Sequence, residues 1–205
     1  PHTLAATPPP PSPNVSIAQL SSLERVNAFV GAAGQGRSVR YAGIAPCGTA
    51  LTAAQVRLLG AAVGGRTGVT VAFDADRAGR RAATRAFDLL RAVADDIAIA
   101  PLPDAADPVG YFREHGPAEL GALLDASEPL ADLVIDAKLA GFEQWFGFTD
   151  GKFLALHAVA PVVAGLPPAQ VARQAARVAD RLALSHAEVT CAITAALDLL
   201  FAHDL

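Results

Sequence analysis

The chain has 205 residues, of which 52% are hydrophobic and 18% are charged, and its net charge is −4. This composition excludes wholesale disorder, and the negative charge excludes nucleic-acid binding over the whole surface, so any such contact must be local. Apolar stretches are interrupted before they reach the roughly 18 residues of a membrane span, and we expect a cytoplasmic protein without membrane contact. The chain contains no methionine, and we expect a fragment of a longer product.

Residues 1–14 are rich in proline and are predicted to form a semi-rigid linker. After this linker, strand-like and helix-like patterns alternate. We predict strands at residues 15–20, 39–45, 69–73 and 97–101. We predict helices between them at residues 22–33, 52–63 and 78–93, of which the second begins with a capping box. This alternation predicts a parallel sheet with helices on both faces, and functional sites at the carboxyl ends of its strands.

The second half of the chain is predicted to be helical, because no segment after residue 102 alternates like a strand. We predict five helices, at residues 108–115, 117–126, 130–146, 167 onward and 185–202. The last of these begins with a second capping box. We therefore expect an α/β domain over residues 15–129 and a small all-α module over residues 130–205. Trp145 and Phe146 are expected to pack between these two parts.

The apolar run at residues 69–73 ends in two acids that are two positions apart, Asp74 and Asp76. Because residues i and i+2 of an extended chain point to the same side, both carboxylates can face one point beyond the strand. Convergent carboxylates repel each other unless a cation lies between them, and hard oxygen ligands suit Mg²⁺ or Mn²⁺. The alternative is that both acids cap the following helix. Gly79 allows that helix to approach the sheet closely, which favours a metal or phosphate role.

Three further features could join this site. The helix after the acids carries arginines four residues apart, which form either a phosphate-contacting ridge or a solvated face: Arg77, Arg81 and Arg85. Gly48 and Thr49 follow the second predicted strand, where backbone N–H groups could contact a phosphate. Asp107 follows the fourth predicted strand at the same edge of the sheet, and an acidic turn before a helix is its alternative role.

Three segments in this order resemble the TOPRIM domains of bacterial DNA primases. Residues 73–83 read FDADRAGRRAA and are similar to the DxDxAGxxAA element of that family. Residues 41–52 read YAGIAPCGTALT and are similar to its strand and loop with GTALT. Residues 101–117 are similar to the following segment with the pattern lP…DPDeyl…Gp. The resemblance covers about residues 15–130 and is strongest to the TOPRIM region of actinobacterial conjugative relaxase/primase-like proteins.

The resemblance implies a Rossmann-like TOPRIM fold with a Mg²⁺ or Mn²⁺ site for nucleotidyl transfer or strand cleavage. It implies that Asp74 and Asp76 are metal ligands, that Asp107 is an outer member of the cluster, and that Gly48 and Thr49 lie near the site. The implied partners are DNA, RNA or nucleotides, bound at the local basic ridge, and other domains of a larger DNA-processing protein.

The chain departs from the family pattern at two positions. The first strand of the family ends in a catalytic glutamate, where the strand alignment places Gln19; Glu24 is the alternative acid, and the sequence leaves both registers open. Val109 lies where primases often have a second aspartate. These departures support a second hypothesis, a non-catalytic TOPRIM scaffold or docking domain. A phosphatase with a DxD nucleophile is disfavoured because Arg77 follows the acids where an apolar or threonine residue is wanted.

Overall fold

The computed structural model describes residues 14–18, 41–44, 51–63 and 68–202. The proline-rich segment and the helix predicted at residues 22–33 lie outside the described residues. The same holds for four residues that the sequence connects with the site: Gln19, Glu24, Gly48 and Thr49. Among the residues that the structure describes, no helix combines the length and the apolar character that crossing a membrane requires.

In this part of the chain, five strands form one sheet in the order β2-β1-β3-β4-β5. They are β1 (Asn14–Ala18), β2 (Tyr41–Ile44), β3 (Val69–Ala72), β4 (Ile97–Ile99) and β5 (Glu128–Pro129). The pairs β1–β2, β1–β3 and β3–β4 are parallel, as predicted, whereas β4–β5 is antiparallel. The prediction that no strand follows residue 102 is wrong, because β5 has two residues and is too short to show an alternating pattern.

The described residues form seven α-helices and one short 3₁₀ helix, at Glu143–Trp145. The α-helices are α1 (Ala53–Val63), α2 (Arg77–Leu90), α3 (Pro108–Asp125), α4 (Leu130–Ala140), α5 (Thr149–Ala164), α6 (Pro168–Leu182) and α7 (His186–Ala202). Both predicted capping boxes are present. The Thr52 N–H donates to Gln55 Oε1 at 2.9 Å and the Ser185 N–H donates to Glu188 Oε2 at 2.8 Å. These bonds satisfy backbone donors that a helix start leaves unpaired.

The division predicted between helices at residues 108–115 and 117–126 is confirmed, because Gly116 interrupts α3 with a non-helical φ of 81° and ψ of 179°. Glycine tolerates this φ, and the following Pro117 disfavours helical geometry before it. Two other helix predictions need correction. The helix predicted at residues 130–146 ends at Ala140. The sequence-based prediction omits α5, because its buried residues spread around most of the helix and leave no single apolar stripe.

Hydrophobic residues pack on both faces of the sheet at β3. Val69 and Val71 belong to a large core cluster with residues of α2. Ala72 belongs to a second cluster, in which it packs with Leu120 and Leu124 of α3. Because successive strand residues point to opposite faces, α2 and α3 cover opposite sides of β3. This arrangement is a mixed α/β fold with many helices around a small sheet.

The helical second half shares the larger core cluster with the sheet. Buried residues of each helix from α4 to α7 belong to it, such as Ile135, Leu156, Val178 and Val189. The division of the chain at residues 129 and 130 stays a prediction. The expectation for Trp145 is wrong, since its side chain is 51% exposed, whereas Phe146 does pack against the larger cluster.

A row of ion pairs joins α6 to α4 and the 3₁₀ helix. The pairs are Arg173 with Asp132, Arg177 with Asp136, and Arg181 with Glu143. The three arginines are four residues apart and share one face of α6. Gln174 is fully buried beside them and donates a hydrogen bond to Asp132. These contacts hold α6 and α4 side by side with the same chain direction.

Candidate metal and phosphate site

Asp74, Asp76 and Asp107 form an acid cluster at the carboxyl edge of the sheet. Asp74 and Asp76 follow β3, and Asp107 lies between β4 and α3. Since β3 and β4 are parallel neighbours, both loops leave the sheet at the same edge. The loops are joined by a hydrogen bond of 2.9 Å from the Ala75 N–H to the Ala106 carbonyl oxygen. The structure thus places the three predicted acids in adjacent loops.

Two of these acids cap helices. Asp76 is the N-cap of α2, and its Oδ1 accepts the Gly79 N–H at 2.6 Å. Asp107 is the N-cap of α3, and its Oδ1 accepts the Val109 and Gly110 N–H groups at 3.0 and 2.7 Å. The capping role considered from the sequence is therefore present for Asp76 and Asp107. Among the described residues, capping engages only Oδ1 of each carboxylate, so Oδ2 can take a further ligand.

Asp74 has the most perturbed environment in the cluster. Its side chain is partly buried, and the burial raises the pKa of its carboxyl group, as do the charges of Asp107 and Asp76. The ion pairs described above lie in the α4–α6 region, and none of them involves the acid cluster. A partly buried carboxylate near two others, without a basic partner in the described structure, is an environment that a bound cation stabilises.

The donor set of the cluster fits a hard divalent cation. Its three carboxylates supply only oxygen ligands, which Mg²⁺ and Mn²⁺ prefer. In the described part of the chain, however, no three acid, histidine or cysteine side chains lie close enough to form a complete metal site. Mg²⁺ usually retains several waters and binds proteins through one or two carboxylates together with substrate phosphates. The cluster therefore fits an open, partly hydrated Mg²⁺ site better than an enclosed one.

Gly79 brings α2 against the loop that carries Asp74. A Cβ atom at this position would lie 1.9 Å from the Asp74 carbonyl oxygen, so a larger residue requires the backbone to move. The N–H group of the same residue donates to Asp76. The close approach that the sequence predicts at this glycine is confirmed.

The basic ridge lies on the exposed face of α2 and consists of Arg77, Arg81 and Arg85. All three side chains are exposed, and none has an acidic partner among the described residues. The three α6 arginines, in contrast, each form an ion pair with an acid. Arg77 follows Asp76 directly, so the ridge begins beside the acid cluster and continues for about 12 Å along the helix.

An aromatic pair near the cluster is missing from the sequence-based prediction. The rings of Tyr111 and His115 stack with centroids 4.3 Å apart and planes 15° from parallel. Both residues lie in the first half of α3, which begins after Asp107. A spacing of four residues within a predicted helix was the only signal for this contact in the sequence.

Comparison with known proteins relates part of this chain to Toprim-like domains and DNA primases. Residues 28–112 match the family model described as Toprim-like. The DNA primase of Clostridium acetobutylicum is 36% identical over 93 residues, which cover 45% of this chain and 15% of that protein. A solved structure of the DnaG catalytic core has a TM-score of 0.65 at 21% identity, and the match covers 87% of this chain and 55% of that one.

A further structural neighbour is the RNA polymerase domain of Mycobacterium tuberculosis primase DnaG. Its TM-score is 0.60 at 26% identity, and the match covers 82% of this chain and 51% of that domain. The chain thus spans about half the length of these solved structures and a smaller part of its curated relatives. It carries a Toprim-like region on a mixed α/β fold. Its relatives include DNA primases, whereas the closer likeness to relaxase-like proteins stays a prediction.

Proposed function

We propose that this chain is the Mg²⁺-dependent TOPRIM module of a DNA primase-like or conjugative relaxase-like DNA-processing protein. The module would serve nucleotidyl transfer or DNA strand handling. One observation carries the proposal. Asp74 lies partly buried beside Asp76 and Asp107, with a raised pKa, at the edge of the sheet and within the region that matches the Toprim-like family.

In the proposed site, Asp74 would hold the ion together with oxygens of Asp76 and Asp107 that do not cap helices. A bound Mg²⁺ supplies charge neutralisation to phosphate oxygens and orients them. The arginines of the basic ridge would bind further phosphates along α2, since the guanidinium group matches phosphate geometry. Gly48 and Thr49 stay proposed phosphate contacts.

The proposed partners are DNA, RNA or nucleotides at the basic ridge, and other domains of a larger protein. The M. tuberculosis primase domain has been solved in complex with double-stranded DNA. By analogy, this chain would act in DNA replication or conjugative transfer, and therefore in the cytoplasm.

Calorimetric titration with Mg²⁺ and Mn²⁺ tests the metal site. We expect saturable binding to the wild-type chain and its loss in the Asp74→Asn variant, which removes the partly buried charge. Asp104→Asn is the matched control, because Asp104 is an exposed acid in the loop before Asp107 and outside the cluster. Equal binding heats for wild type and Asp74→Asn would contradict the proposal.

The second candidate function is a non-catalytic TOPRIM scaffold or docking domain. It is favoured by the incomplete ligand set among the described residues and by Val109, which is buried where primases often have an aspartate. Gln19→Glu restores the acid that the family has at the end of the first strand. A gain in metal affinity would support the enzyme, whereas no change would support the scaffold. Loss of metal affinity in Glu24→Gln would instead identify Glu24 as the missing acid.

A further inference from the structure

In the stacked pair of Tyr111 and His115, one ring packs against the core and the other is exposed to solvent. Tyr111 is half-buried and packs against the second core cluster. His115 is exposed, and its Nδ1 lies 3.2 Å from the Tyr111 carbonyl oxygen. Because a carbonyl oxygen only accepts hydrogen bonds, Nδ1 carries the proton in this contact. The hydrogen bond and the stacking fix the imidazole plane while His115 remains accessible.

This pair is aligned with the acid cluster. Tyr111 and His115 are four residues apart and share one side of α3, whose N-cap is Asp107. The Tyr111 N–H donates to the Asp107 carbonyl oxygen at 2.9 Å, which places Tyr111 in the first turn of the helix. Helical side chains tilt toward the N-terminus, which here is the end with the acids. Four residues, a rise of about 6 Å along the helix axis, separate His115 from Tyr111.

We propose that the Tyr111–His115 stack is a platform for the base of a nucleotide whose phosphates lie at the acid cluster. This inference rests on the proposed function. Every nucleobase has a flat π-face that stacks on aromatic rings, so the platform would accept different bases. The acid cluster with its metal would select the phosphates, and the platform would add affinity for nucleotides over phosphate alone. The alternative is that the pair only stabilises the helix, as side chains at i and i+4 do, and in that case the chain would not prefer nucleotides to phosphate alone.

Calorimetric titrations with ATP and with inorganic tripolyphosphate, both in Mg²⁺, test the platform. We expect the wild-type chain to prefer ATP by about fivefold, the lower range for stacking of one base on an exposed ring. His115→Ala should remove this preference and leave the affinity for tripolyphosphate unchanged. His115→Phe should retain the preference, because it keeps a flat ring. His157→Ala is the control, since His157 is an exposed histidine on α5.

The outcomes separate the platform from the proposed function. If the wild-type chain binds ATP and tripolyphosphate equally, or if His115→Ala keeps the ATP preference, the platform is refuted and the phosphate site stands. If the wild-type chain binds neither ligand and no metal ion, both proposals are refuted. Circular dichroism melting of each variant verifies that a lost preference does not reflect a lost fold.

Discussion

At the scale of single residues, the site contains Asp74, whose charged form is destabilised, and Gly79, which lets α2 lie against the Asp74 backbone. Burial and two neighbouring acids raise the pKa of Asp74. A raised pKa means that this group stabilises the fold when protonated, and that its contribution is lost as the pH rises through the folded pKa. At neutral pH the ionised Asp74 therefore opposes folding, which is a common cost of binding sites.

Because the ionised Asp74 opposes folding, we predict that Asp74→Asn stabilises the metal-free chain at neutral pH by about 0.5–2 kcal/mol. The same substitution should abolish any stabilisation by Mn²⁺, because the ligand is gone. Thermal melting with and without Mn²⁺ measures both effects. A variant that is less stable than wild type without metal would show that Asp74 has a structural role instead.

Gly79→Ala should destabilise the chain and weaken metal binding. The new Cβ would overlap the Asp74 backbone, which has to shift, and overpacking of this kind costs about 1–3 kcal/mol. Gly121→Ala is the matched control, because Gly121 lies within α3 and a Cβ atom added there would enter open space. That control should be stabilising by about 0.5–1 kcal/mol, since alanine favours helices more than glycine does. Urea unfolding of both variants measures the difference, and equal stabilities would contradict the clash.

At the scale of elements, the contacts that attach α6 to α4 differ in how far they are buried. Asp132 accepts hydrogen bonds from Arg173 at 2.7 and 2.9 Å and also from the fully buried Gln174. Burial acts to raise the pKa of Asp132, but these hydrogen bonds and the charges of Arg173 and Arg177 outweigh it, and the pKa is lowered. Within the described part of the chain, Asp136 pairs only with Arg177, and 56% of its side chain is exposed.

Asp132→Ala should therefore cost about 1–3 kcal/mol, because it leaves the buried Gln174 amide without its acceptor. Asp136→Ala, the control on the same helix face, should cost at most about 1 kcal/mol. The stabilisation by Asp132 is fully present above its ordinary pKa of 3.8 and is lost as the pH falls through the lower folded pKa. Urea unfolding of both variants at neutral and acidic pH measures this. Equal losses at neutral pH would refute the role of Gln174.

At the scale of the whole molecule, a chain of net charge −4 concentrates unpaired positive charge on one helix face. The α6 arginines are neutralised by acids, whereas those of the basic ridge are not paired within the described structure. A strand of nucleic acid would therefore be drawn to α2, although the molecule as a whole repels it. The ridge begins at the acid cluster, so bound phosphates would lead toward these carboxylates.

Binding of a single-stranded oligonucleotide should weaken with salt in proportion to the phosphates contacted. Three contacts predict a slope of about −2 in a plot of log affinity against log salt, and each Arg→Gln change in the ridge should reduce its magnitude by about 0.7. Arg57→Gln is the control, since Arg57 is exposed on α1 and outside the ridge. Fluorescence anisotropy at several salt concentrations measures the slopes, and a slope unaffected by Arg81→Gln would place the strand elsewhere.

The sequence by itself determined the features that depend on neighbours along the chain. These are the alternation of strands and helices, both capping boxes, the acids at one sheet edge, and the likeness to TOPRIM domains. Only the tertiary structure decided that Asp74 is partly buried beside Asp107 and that Trp145 is exposed. It also defined α5 and the ion pairs of α6. These features depend on which surfaces pack together, and local periodicity carries no information about a contact between segments that are distant in the chain.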